Sequence, residues 1–413
     1  MKSSTVFTMC AVVAATVVAI LLQTTPHTNS GSRFATVESL VNRGTFAIDD
    51  SPFSDTVDKV MIGDHAYSSK PPMLPTLAAA IYFLFSKLTG ITFTDHPTVS
   101  IAFINVIFGL IPYLLLLYFF RKLLEKLFNS RRTVNLGILV FTFNFIGLGY
   151  ATDFTNHVPS AACLLAAFYF AFEARHDSRL RRSPWILAGF LGGLASTFEF
   201  WAGFFTLAFL VYLFSANPGK TLRLFLPAAA LTVAAHFALN LAATGSLLPV
   251  YLRPELYRFG GSYWNEPTGI DSLSEPKHVY FFHILLGHHG IFSMTPVFLP
   301  AVLSIVSAVK NRTNRMPEAL TIGVPTLAVL LFLGFRTRNY GGVCAGLRWM
   351  ILAMPLLFVF VAQWIEEHRS GRSMALLAFL FLVGFANMAD VPWANAGPWH
   401  NSAWHKHVFG LYP

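Results

Sequence analysis

The chain is poor in charge and in cysteine: only 12% of its 413 residues are Asp, Glu, Lys or Arg, and only three are Cys. Cys10, Cys163 and Cys344 lie far apart, two of them inside apolar runs, which excludes a disulfide framework or a cysteine metal site. Also missing are a Walker loop, a dinucleotide fingerprint, a His-Glu-x-x-His helix and a nucleophile elbow, which argues against an ATP-driven pump or a membrane protease. No soluble domain, internal repeat or low-complexity tail stands out. What is there is apolar: 54% hydrophobic residues, 15% aromatic and a mean hydropathy of +0.56. The net charge of +9 suggests nucleic acid at first sight. In so hydrophobic a chain, basic residues record membrane orientation instead, so no nucleic-acid partner is expected.

Apolar runs recur at 5–22, 98–120, 134–150, 158–174, 184–198, 201–215, 222–242, 290–308, 317–335, 349–365 and 373–389. They predict an all-α polytopic membrane protein, a single integral domain over 1–413 with about eleven crossings of a core roughly 30 Å thick. With the N-terminus inside, the inner loops "RKLLEKLFNSRR", "RHDSRLRR" and "KNRTNR" hold more Lys and Arg than the outer ones, and the acids collect outside. The run 5–22 reads as a crossing rather than a cleaved leader, because it is long and "TTPHTNS" offers no small-x-small cleavage site. The segment 73–89 is apolar too, but counting it as a crossing inverts most later loops. With Pro71-Pro72, Pro75 and Lys87 it reads as a piece embedded in the outer interface, inside one long outer loop, 23–97.

In that loop, Phe34, Val37, Leu40 and Val41 recur at helical spacing. They predict an amphipathic helix lying on the membrane, N-capped by Ser32 and C-capped by Gly44, with Arg33 near its first turn. A helix N-terminus beside an arginine suits phosphate; a merely solvated Arg33 is the plainer alternative. Asp49, Asp50, Asp55, Asp58 and Asp64 follow, then Tyr67 and Lys70. Clustered carboxylates of this kind are solvated turns, ligands for a divalent metal ion, or a source of a general base, and the sequence leaves all three open.

"SRFATVESLV" followed by "YSSKPPMLP", with a late "LRWMILAMPLL" at 347–357, resembles the GT-C membrane glycosyltransferases. The likeness is to the bacterial aminoarabinose transferases and the protein O-mannosyltransferase-like enzymes. It implies a GT-C bundle whose first periplasmic loop carries juxtamembrane helices, in a bacterial inner membrane. It also implies that Arg33 and Lys70 hold the phosphate of a polyprenyl-phosphate sugar donor, with Tyr67 as the matching aromatic. The sequence departs from the family where chemistry is expected. The family's catalytic acid, three residues before the arginine, is Ser30 here, and the glutamate before Lys-Pro-Pro is Ser69. A base must therefore come from elsewhere, and Asp50, Asp58 and His157 are the foremost candidates, with Asp49 and Asp153 behind them. Asn156, in "TDFTNHVPS", is a further candidate for donor binding.

The second long outer loop, 243–289, mixes Tyr251, Arg253, Tyr257, Arg258, Tyr263 and Trp264, a composition that suits either sugar stacking or an interfacial aromatic belt. His278, His283, His288 and His289 do not share a helical face cleanly, and His405 and His407 are a weaker metal signal still. The basic outer loop "RTRNYGGVCAGLR" breaks the orientation rule, which makes Tyr340 and Arg348 secondary donor-site candidates. Glu199 stands between two apolar runs with almost no linker; at membrane depth it needs a partner or a function. The expected function is transfer of a sugar from a polyprenyl-phosphate donor to a hydroxyl of a glycan, lipid or protein, with membrane lipids as surroundings. A transporter, or a non-catalytic binder of polyprenyl phosphate, is the alternative.

Overall fold

The computed structural model describes residues 3–176, 181–337, 339–393 and 397–400. His405 and His407 lie outside them. The long helices are α1 (Ser3–Leu21), α2 (Thr28–Arg43), α3 (Met73–Thr89), α4 (Pro97–Leu127), α5 (Arg131–Asn144) and α6 (His157–His176). After these come α7 (Ser183–Phe198), α8 (Ala202–Phe214), α9 (Pro218–Thr244) and α10 (Lys277–Leu285). The chain then forms α11 (Phe298–Lys310), α12 (Met316–Arg336), α13 (Met354–Glu367) and α14 (Gly371–Trp393). Every apolar run read as a crossing is helical over most of its length. Among the described residues, six helices are both long and apolar enough to span a membrane: α1, α4, α6, α9, α12 and α14.

Leucine, phenylalanine and alanine fill a continuous core in which α6 is buried along most of its length. Two glycines bring α7 against α9: a Cβ at Gly189 would stand 2.2 Å from Phe225 O, and one at Gly193 2.6 Å from Ala229 O. Such small-residue contacts are how helices pack closely in lipid, where apolar burial gives no drive to associate.

The helix expected to lie on the membrane is buried instead. It starts at Thr28, with His27 rather than Ser32 as its N-cap, and ends at Gly44 in the left-handed conformation. All residues from Asn29 to Ser39 are buried, so Arg33 sits in the second turn and faces the interior. Phe34 packs on Phe53, Phe93 and Phe154, and with Val37 joins a second core formed with α3 and the start of α4. Helix α3 covers the segment marked out by the sequence, 73–89. Its Met73, Leu74, Ala78 and Tyr82 face this core, while Leu77, Ile81, Leu84 and Leu88 are exposed in a pattern suited to lipid.

One element was not expected. Lys59–Ile62 (β1) and His65–Ser68 (β2) form an antiparallel hairpin closed by Gly63-Asp64, with Gly63 at φ +61°. The register pairs Lys59 with Ser68, and Ser69 N donates to Asp58 O at 3.0 Å, which brings Asp58 opposite Lys70. Ser32 Oγ donates to Asp58 O and contacts Ser68 Oγ, both at 2.6 Å, and so seats the hairpin on α2.

Candidate active site

The first outer loop, the second outer loop, and the turns before α6 and after α7 meet around a cavity of about 800 Å³. Trp264 Nε1 donates to Val57 O at 2.9 Å and joins the two loops directly. The walls are strongly aromatic, with Tyr251, Tyr257, Trp264, Trp201, Trp349 and Trp399 among them.

One polar edge is built from the hairpin and the first turn of α2. Lys70 Nζ lies 2.7 Å from Asp58 Oδ1, and Asn29 Nδ2 donates to Asp58 Oδ2 at 3.3 Å. Arg33 lies one layer behind this edge. Its Nη1 donates to Asn29 O at 2.9 Å and Asn29 Oδ1 at 2.6 Å, and its Nη2 donates to Asn156 Oδ1. Asn156 in turn donates to Phe198 O at 2.9 Å. A continuous hydrogen-bonded path thus runs from Lys70 to the end of α7.

The opposite polar edge is Arg348. Its guanidinium lies 5.3 Å from the centre of the Trp399 ring. Among the described residues it forms no ion pair, and its buried Nε has no hydrogen-bond partner. Gly341, at φ +92°, allows this placement, because a Cβ there would come within 2.8 Å of Nε.

Three cations around one cavity strain each other electrostatically. Burial pushes Lys70 down to about 8; Asp58 opposes the shift, and Arg33 and Arg348 add to it. Burial likewise brings Arg33 down to about 10, against the pull of Asp58 and Glu199 and with the help of Arg348. A bound anion relieves both costs at once.

Not every expected site residue reaches this place. Asp50 is exposed and is not part of the cavity wall, so it has no route to a bound acceptor there. Asp49 accepts from Ala66 N at 2.9 Å and lies 3.2 Å from His65 Nδ1, a structural role in the hairpin. Tyr67 points to a separate small pocket with Thr36, Asn240 and Val250, which Lys70 also borders, because the strand alternates its faces. Tyr340 is fully buried, bonded to Glu275 and stacked on His289, so it is part of the core and does not line this cavity. Asp153 accepts from Trp399 Nε1 at 2.9 Å and is buried behind the wall. His157 is buried too, with its Nδ1 against Glu199. Among the described residues no set of three or more His, Cys, Asp or Glu side chains is placed to hold a metal ion.

Asn29, Glu199, Asp271 and Trp399 also border the cavity and were not marked as site residues beforehand. Glu199 carried a signal, a lone acid between two apolar runs. Asn29 and Trp399 carried none, since their roles depend on long-range contacts.

Residues 69–242 match the family model described as dolichyl-phosphate-mannose-protein mannosyltransferase. No curated protein sequence matches the chain. Among solved structures, the fold is similar to ArnT from Cupriavidus metallidurans bound to undecaprenyl phosphate. The TM-score is 0.57 at 15% identity, over 92% of this chain and 62% of that one. The apo ArnT structure gives a TM-score of 0.54 at 15% identity, over 97% and 67%. The chain spans somewhat under two thirds of the lipid-bound ArnT chain. The resemblance read from the sequence is borne out: this is a membrane protein with an ArnT-like fold, and its segment 69–242 matches the mannosyltransferase family model.

Proposed function

We propose that the chain is a GT-C glycosyltransferase that moves a sugar from a polyprenyl-phosphate carrier to a hydroxyl acceptor at the outer face of a bacterial inner membrane, with its N-terminus cytoplasmic. The observation that carries this reading is the convergence of Lys70, Arg348 and, through Asn29, Arg33 on one aromatic-walled cavity. Charge-assisted hydrogen bonds to a phosphate in such a low-dielectric place are stronger than in water. The ArnT structure with undecaprenyl phosphate supports a lipid phosphate as that anion. The exposed apolar face of α3, next to Pro71-Pro72, offers the isoprenoid tail a lipid-side wall. In this reaction the carrier phosphate is the leaving group. The cations stabilise the charge that develops on it as the bond to the sugar breaks.

A second reading, binding of polyprenyl phosphate without transfer, is favoured by Ser30. Its Oγ accepts from His27 N at 3.1 Å, a structural cap where the family carries its acid. Purified protein in vesicles, offered undecaprenyl-phosphate sugars, separates the two. Release of undecaprenyl phosphate that falls at least tenfold or so in Lys70→Ala and Arg33→Ala fits transfer at this site. Unchanged turnover in both variants sinks the donor site, and binding with no release from any donor favours the second reading.

A further inference from the structure

Resting on the glycosyltransferase reading, we propose that Glu199 is the general base that takes the acceptor's proton, with His157 as the residue that positions it. Three carboxylates border the cavity among the described residues: Asp58, Asp271 and Glu199. The first two are already committed. Asp58 gives one oxygen to Lys70 at 2.7 Å and the other to Asn29 at 3.3 Å. Asp271 accepts from Asn339 Nδ2 at 3.1 Å on one oxygen and from Tyr263 Oη at 3.2 Å on the other. Donors on both oxygens leave Asp58 and Asp271 less lone-pair capacity for a substrate proton, and protonating Asp58 would also strip Lys70 of its partner.

Glu199 differs. It is buried, and among the described residues its close polar contact is His157 Nδ1 against Oε1, which leaves Oε2 as the oxygen to take a substrate proton. His157 is buried as well, and its Nε2 has no hydrogen-bond partner. The base is held in register with the phosphate site by one side chain. Asn156 accepts from Arg33 and donates to Phe198 O, the residue next to Glu199. Glu199 itself ends α7, and its carbonyl accepts from Ala202 N at 3.0 Å, so the carboxylate sits on a rigid turn between two helices.

The step balances without any further reactant. The acceptor oxygen forms a bond to the anomeric carbon as the bond from that carbon to the phosphate oxygen breaks. The electron pair leaves on the lipid phosphate, beside Lys70 and Arg348. The hydroxyl proton passes to the Glu199 carboxylate and is later lost to water.

The test uses the full chain in nanodiscs, with undecaprenyl-phosphate sugars as donors and simple alcohols and glycans as acceptors. Binding of free undecaprenyl phosphate is measured separately. Glu199→Gln is expected to lower kcat about 100-fold or more while keeping that binding within about threefold, and Glu199→Asp to recover part of the rate. His157→Ala is expected to lower kcat less, and to move the acid limb of its pH profile. A Glu199→Gln protein that binds undecaprenyl phosphate and turns over at near the parent rate overturns the assignment. A parent protein that binds the lipid but releases none from any donor overturns the transferase reading, and the assignment with it.

Discussion

The two cationic edges of the cavity are built differently. On the hairpin side, Lys70 arrives already paired, with Asp58 at 2.7 Å. On the far side, Arg348 rests on an indole ring, with an unpartnered Nε and no carboxylate in ion-pair reach among the described residues. An anion meets full attraction from the second edge. At the first it competes with a resident carboxylate. Arg348 is thus the standing attractor, and Lys70 a cation whose charge is partly spent until the ligand displaces Asp58.

That contrast orders the expected effects. Arg348→Ala should weaken undecaprenyl phosphate binding most, by roughly 10- to 100-fold, as expected for loss of a charge-assisted hydrogen bond to the phosphate. Lys70→Ala should cost less, roughly three- to tenfold, because Asp58 already holds part of its field. Equal losses in a titration of the lipid would erase the distinction. Asp58→Asn should tighten binding about threefold by freeing Lys70, and weaker binding would mean that the carboxylate organises the site rather than competing in it.

Raising pH should distinguish the edges as well. Lys70 sits near 8 rather than 10.5, so it loses its proton as pH rises past 8. The phosphate is by then fully ionised, its second pKa being near 6. Affinity should therefore decline between pH 8 and 10, and Lys70→Arg should flatten that decline. The linkage for stability has the opposite sign. Between about 8 and 10.5 the unfolded chain binds more protons at this residue, so its contribution to stability grows with pH across that window. The smallest expected effect on binding is at Tyr340. Tyr340→Phe removes a buried hydrogen bond to Glu275, costing about 1–2 kcal/mol of stability, with lipid affinity unchanged. A large affinity loss would return Tyr340 to the site.

The sequence marked Lys70, Asp58, Asn156 and Arg348, and each borders the cavity. It missed the hairpin, although alternation through "KVMIGDHAYS" around a Gly-Asp pair is a two-residue turn signal. Without that register, Asp58 and Asp50 look equivalent. With it, one faces Lys70 and the other faces water. Tyr67 was expected at the site from the family resemblance and Tyr340 from its basic outer loop, but the direction of a side chain is set by strand alternation and by what it packs on.

Membrane residence, the helical nature of each apolar run and the boundaries of α3 were settled by the sequence alone. They depend on local hydropathy and on backbone groups that must bond within their own segment in lipid. The tertiary structure decided that α2 is buried rather than surface-bound. It also decided that Asp58 meets Lys70, that Glu199 faces His157 and that Arg348 rests on the Trp399 ring. Those facts come from contacts between residues distant in the chain, whose geometry no local pattern encodes.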